Sequence, residues 1–138
     1  MAEKLPENMK EDEMTDCILA FSCVEKFDEL KPKETVRLIV DEITNVGKKL
    51  KTKRVMLFPF AHLSKYLSSP EMAVEILKDA EESLKKIGFE VKRAPFGWNK
   101  KFELKSKGHP LAILSRTVCP ITEECKRFCP YCSGPLVY

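Results

Sequence analysis

The sequence predicts an α/β domain built on a mixed sheet flanked by two long helices, with a cysteine-rich C-terminal tail. Three observations predict it. The continuous apolar run Asp16–Val24, DCILAFSCV, and the shorter run Arg54–Phe58 have strand length and the composition of strands covered on both faces. Two longer stretches carry apolar residues at helical spacing, each behind a proline suited to a first helical turn. Further short runs, Phe89–Arg93 and Lys100–Lys105, supply a closing pair of strands.

Taken in order, residues 1–15 are polar or acidic and carry Pro6, which predicts a poorly ordered lead-in. Asp16–Val24 reads as a central strand, with Cys17 and Cys23 on one face as buried, reduced thiols. Pro32 opens a helix whose apolar face is Val36, Ile39, Val40, Ile43, Val46 and Leu50, with Asp41 and Glu42 on the polar side. Arg54–Phe58 is a buried strand that stops at Pro59, where the amide needed for pairing is missing. His62 falls on the following turn, where Leu63, Tyr66 and Leu67 suggest a short helix. A lone histidine beside apolar residues is more often a packing residue than a catalyst, but open α/β sheets place ligands at the carboxyl ends of their strands. Ser69 caps a second helix with Pro70 in its first turn, Ala73, Val74, Leu77, Leu84 and Ile87 along one face, and Gly88 at its end. Phe89–Arg93 is a third strand, Lys100–Lys105 a fourth with Phe102 and Leu104 inward, and Pro110–Ser115 a helical turn or short helix.

A length of 138 residues suits one domain, and 43% hydrophobic with 33% charged residues is ordinary for a globular fold. No apolar run approaches the roughly 18 residues that span a bilayer, and the N-terminus lacks the core of a signal peptide, so a cytoplasmic chain with no membrane partner is expected. A net charge of +3 does not imply a nucleic-acid partner; only the local clusters Lys48–Arg54 and Trp98–Lys107 could. Such runs are usually solvated faces. There is no G-x-S-x-G, H-E-x-x-H or Walker loop, which leaves water as the nucleophile of any hydrolysis. In the tail, 119–138, Cys119, Cys125, Cys129 and Cys132 end in Cys-Pro-Tyr-Cys. Four soft thiolates suit a closed structural zinc site; an iron-sulfur cluster, a redox pair or plain thiols are the alternatives.

Three motifs then recur in order: Pro-Phe-Ala-His-Leu-Ser at 59–64, Ala-Pro-Phe-Gly at 94–97 and Lys-Gly-His-Pro-Leu-Ala at 107–112. With them the stretch 16–118 resembles the archaeal editing domain of threonyl-tRNA synthetase, a relative of D-aminoacyl-tRNA deacylases. The resemblance implies a deacylase-like fold and a pocket lined by Pro59, Phe60, Ala61, Ala94, Pro95, Phe96, Gly97, Trp98, Asn99, His109 and Pro110. It implies Lys100 and His62 as catalytic residues, with the ribose hydroxyl of the terminal adenosine taking part. The implied reaction is hydrolysis of seryl-tRNA(Thr) by water, in trans or docked on a synthetase. Implied partners are the tRNA(Thr) acceptor end, a threonyl-tRNA synthetase and a second copy of the chain. Three features depart from the family pattern: Asn99 replaces a tyrosine, Ile113 replaces a glutamate, and residues 1–15 do not resemble the family's first strand. These departures keep a second reading open, an inactive tRNA- or synthetase-binding module, and a third, a related deacylase or small-ligand binder.

Overall fold

Ile18, Leu19 and Phe21, then Val55, Leu57 and Phe58, then Val91 lie in three short segments, where branched and aromatic side chains fit a pleated surface. In the computed structural model, which describes residues 2–4, 11–98 and 100–121, these segments are β1 (Ile18–Ser22), β2 (Arg54–Pro59) and β3 (Glu90–Arg93). They form a parallel sheet in the order β1-β2-β3, with Ile18 opposite Val55 and Val55 opposite Val91. Pairing runs slightly past the strands, through Phe60 N–H to Ser22 O at 2.8 Å and Ala94 N–H to Leu57 O at 2.8 Å.

Helix α1 (Pro32–Leu50) begins on its proline and ends at Lys51, whose left-handed backbone returns an amide to the Gly47 carbonyl. Helix α2 (Pro70–Lys86) is capped by Ser69, whose hydroxyl accepts from the Met72 amide at 3.2 Å. Gly88, at φ +99°, releases the chain into β3 where a side chain would be strained. The two crossovers run in the same sense, and right-handed connections then place both helices on one face of the sheet. There Leu57, Val55, Ile76, Leu77, Ala80 and Leu84 are almost fully buried, joined by Val36, Ile43 and Val91. Each large aliphatic side chain buried this way contributes about 1.5–3 kcal/mol before entropy is charged against it.

The opposite face carries Phe21 and Phe58, register partners whose rings meet edge-on at 5.2 Å. Phe102 covers them, 5.7 Å from Phe21 and 5.4 Å from Phe58. Four expectations are corrected. Among the described residues the sheet is parallel rather than mixed, and Lys100–Lys105 is not a strand: Phe102 packs its ring against Phe21 and Phe58 instead of pairing along an edge. The Pro110–Ser115 segment holds a single turn at Pro110 and Leu111 and no helix. The fourth correction concerns β1. It is an edge strand with all five residues half-buried, and β2 holds the central position, because β3 adds to the far side of β2.

In the lead-in, Lys92 donates to Asp12 Oδ1 at 2.5 Å and to the Glu13 carbonyl at 2.8 Å, and Glu3 bonds to the loop after β3. Cys17 and Cys23 are half-buried reduced thiols flanking β1. Among the described residues no helix is long and apolar enough to cross a membrane.

Candidate functional site

Parallel strands leave their carboxyl ends pointing at one edge of the sheet, and here that edge is hollow. A cavity of about 80 Å³ lies between the ends of β1 and β2 and the first turns of α2. Ser22 ends β1 and Cys23 and Val24 follow it, Phe60 and Ala61 follow β2, Leu67, Ser68, Pro70, Ala73 and Leu77 come from α2 and its approach, and Phe96 from the loop after β3. The wall is fixed by local bonds. An antiparallel bridge joins Glu25 to Leu67, Lys26 N–H donates to Tyr66 O at 2.9 Å, and Ser68 N–H donates to Val24 O at 3.1 Å. The Ser64 hydroxyl donates to Glu25 Oε2 at 2.6 Å.

Pro59, Phe60 and Ala61 form the end of β2 and the start of a 3-10 turn, Ala61–Leu63, that carries His62. The His62 ring stands edge-on to Phe60 at 5.2 Å and is exposed, outside the cavity lining. Ala94 and Pro95 lead into a turn in which Phe96 points to the core and Gly97 adopts φ +83°. Trp98 follows, 46% exposed. Lys100 then turns back over the sheet. Its ammonium sits 5.0 Å from the centre of the Phe58 ring and donates to the Trp98 carbonyl at 3.2 Å. Partial burial pulls its pKa below the ordinary lysine value, against the opposing charge of Glu3.

The structure therefore brings Pro59, Phe60, Ala61, His62, Phe96 and Lys100 to one end of the sheet. It does not bring His109 and Pro110 there. They lie in an exposed turn with the His109 amide on Lys107 O and its Nδ1 accepting from Leu111 N–H at 3.0 Å. Lys107 makes an exposed ion pair with Asp16, which precedes β1 at the opposite end of the sheet. Asn99 falls outside the described residues, as do Cys125, Cys129 and Cys132; Cys119 is half-buried. Among the described residues no group of three or more histidine, cysteine or acidic side chains could hold a metal.

Sequence reasoning missed part of the wall. Ser22, Cys23 and Val24 were legible only as strand, and Leu67, Ser68 and Ala73 only as helix and cap, because periodicity reports the buried face and not the end of an element. It also missed Asp28, which is 7% exposed in the 3-10 helix Lys26–Leu30. Its Oδ2 accepts from the Glu25 amide at 2.7 Å, and its Oδ1 accepts from the Thr35 hydroxyl at 3.3 Å. Burial raises its pKa to about 6, more than those hydrogen bonds lower it.

A small parallel α/β domain with a cavity at its strand ends has the architecture in which loops at the sheet edge commonly carry the chemistry. A sequence model of the Archaea-specific editing domain of threonyl-tRNA synthetase matches residues 1–118, and the chain belongs to that family. The threonine-tRNA ligase of Methanopyrus kandleri is 49% identical over 124 residues, covering 90% of this chain and 20% of the ligase. That of Methanothrix thermoacetophila is 50% identical over 117 residues, covering 85% and 19%. That of Thermococcus gammatolerans is 48% identical over 118 residues, covering 86% and 19%. The chain spans about a fifth of the length of these relatives.

Proposed function

We propose that this editing domain hydrolyses seryl-tRNA(Thr), with water as nucleophile and Lys100 stabilising the charge that develops on the ester carbonyl. The observation that carries the reading is the position of the Lys100 ammonium, held over the Phe58 ring near the carboxyl end of β2, the strand that Phe60 and Ala61 of the cavity lining follow. An aminoacyl ester is already activated, so an oriented water and a preorganised positive charge suffice where a strong base is absent. A partly desolvated lysine exerts more of its field on the oxyanion than one in open water.

In this reading the seryl side chain occupies the cavity of about 80 Å³, and threonine is turned away by its additional methyl group. One methyl in a tight apolar pocket is worth about 1–3 kcal/mol, a discrimination of roughly 10- to 200-fold. His62 orients substrate from the rim, and the exposed Trp98 offers a surface on which a base of the acceptor end can stack. The ribose hydroxyl of the terminal adenosine acts with Lys100, and the partners are the tRNA(Thr) acceptor end and a threonyl-tRNA synthetase. Among the described residues the outer edge of β1 pairs with no other strand, and a strand from that synthetase or from a second copy of the chain would complete the sheet.

The test is a side-by-side deacylation of seryl- and threonyl-tRNA(Thr). Loss of label from the seryl form, at least tenfold faster than from the threonyl form, is expected; equal rates would refute selection by size. A second reading, a binding module without turnover, draws on Ile113, which is 84% exposed where the family carries an acid, and on the remoteness of the His109 turn. Retained tRNA affinity with no loss of label would establish it.

A further inference from the structure

We propose that Glu3 is a positioning residue that locks the turn carrying Trp98 and Lys100 against the sheet. The proposal rests on the reading of Lys100 as the active cation. Three bonds converge from one residue. The Glu3 amide donates to the Phe96 carbonyl at 2.9 Å, and the Glu3 carbonyl accepts from the Trp98 indole N–H at 2.7 Å. Its carboxylate accepts from Arg93 Nη1 at 2.6 Å. Arg93 is held in turn by Glu81 Oε1 at 3.0 Å, and Glu81 Oε2 takes a further bond from Lys85 at 2.9 Å. The contacts thus run from α2 through the end of β3 to Glu3, then to both faces of the turn, and through the Trp98 carbonyl to the Lys100 ammonium.

Burial separates this network from ordinary surface pairs. The side chains of Arg93, Glu3 and Glu81 are 12%, 14% and 19% exposed, whereas Lys107 and Asp16, paired elsewhere, are 73% and 70% exposed. An exposed pair contributes little, but removing one partner of a desolvated pair strands the other charge. Burial tends to raise the pKa of Glu81, yet the hydrogen bonds from Lys85 and Arg93 outweigh it and hold the group below its usual range. The turn itself needs an external tie. Gly97 gives it a left-handed backbone, and its other anchors are the Ala94 bond to β2 and the packing of Phe96. Glu3 also faces Lys100 electrostatically and opposes the loss of its proton.

Trp98 is the chain's single tryptophan, so its emission reports the latch without reference to activity. The experiment takes the full chain with Glu3→Ala and Glu3→Gln. It measures the emission maximum and acrylamide quenching, and then kcat and KM for seryl-tRNA, with Lys100→Ala as reference. Glu3→Ala is expected to shift emission to the red, steepen quenching and lower kcat by about 10- to 100-fold with KM little changed, as displacement of a positioned group does. Both variants retain the main-chain groups that bond Phe96 and Trp98, but only Glu3→Gln keeps a side-chain oxygen with which Arg93 can hold residue 3 in place, and it is expected to restore most of both signals. Wild-type emission and quenching in Glu3→Ala, or equal impairment in the two variants, would overturn the latch. Full activity in Lys100→Ala would instead remove the functional reading, and the fluorescence comparison would still judge the latch alone.

Discussion

Asp28 offers a quantitative test of how the cavity wall is built. Its carboxyl is 7% exposed and titrates near 6, against 3.8 for a free aspartate side chain. Because the folded protein holds this proton more tightly than the unfolded chain, stability from this group is complete below about pH 4 and is lost as pH rises through 6. Two units correspond to about 3 kcal/mol at pH 7 and above, as an upper bound. Asp28→Asn removes the desolvated charge at little cost in hydrogen bonds. The amide oxygen can accept from Glu25 N–H, and the amide nitrogen can donate to the Thr35 hydroxyl, which is itself free to keep donating to Lys31 O at 3.1 Å. Urea unfolding at a series of pH values should therefore show Asp28→Asn more stable than wild type by about 1–3 kcal/mol at pH 7.5, with the difference closing below pH 4. Other carboxylates with lowered pKa values, such as Asp12 beside Lys92, act in the opposite sense but cancel in the comparison. A variant less stable than wild type at pH 7.5, or a difference independent of pH, would refute the reasoning.

Three further outcomes are expected, two from the structure and one, the zinc site, proposed from the cysteine spacing of the tail alone. Gly47→Ala places a methyl 2.7 Å from the Thr52 carbonyl and 3.1 Å from Phe89, and should destabilise the fold by about 1–3 kcal/mol in urea unfolding. The pKa of Lys100 is lowered by burial, so the cation is lost before free lysine would lose its proton; deacylation, corrected for the uncatalysed rate, should fall as pH rises through that lowered value, below the ordinary value of about 10.4. A structural zinc held by Cys119, Cys125, Cys129 and Cys132 should appear as near one metal per chain by elemental analysis, sharply reduced when Cys129 and Cys132 are replaced by serine.

Local patterns made the two helices and three strands legible. Pro32 and Ser69-Pro70 marked the helix starts; of the faces behind them Val36, Ile43, Ala73, Val74, Leu77 and Leu84 are buried, whereas Leu50 and Ile87 at the helix ends are exposed and the fully buried Ile76 and Ala80 lie outside the predicted face. The errors share one cause, which is that periodicity carries no information about lateral order. Asp16–Val24 is apolar enough for a central strand, yet β1 is at the edge, and the aromatic cover supplied by Phe102 accounts for its apolar outer face. Phe102 and Leu104 alternate as a strand would, but Phe102 meets Phe21 and Phe58 on the open face of the sheet and both side chains are about half exposed. At the site, motif order pointed to Pro59–His62 and to the Phe96–Lys100 turn, which the fold does bring to one edge. Motif order could not place the Lys107–Ala112 turn, because its ion pair with Asp16 joins residues far apart in sequence. Glu3 was illegible for the same reason, its partners lying some ninety residues away.

The central claim is that one lysine ammonium, held over Phe58 near the carboxyl end of β2, stabilises the transition state of ester hydrolysis. Single-turnover deacylation of seryl-tRNA(Thr) by the full chain and by Lys100→Ala measures it directly. Loss of a preorganised charge at the oxyanion should slow the reaction by about 100- to 1,000-fold while tRNA affinity is largely kept. Equal rates for the two proteins would contradict the account, as would an unaltered chain that binds seryl-tRNA(Thr) and never releases serine.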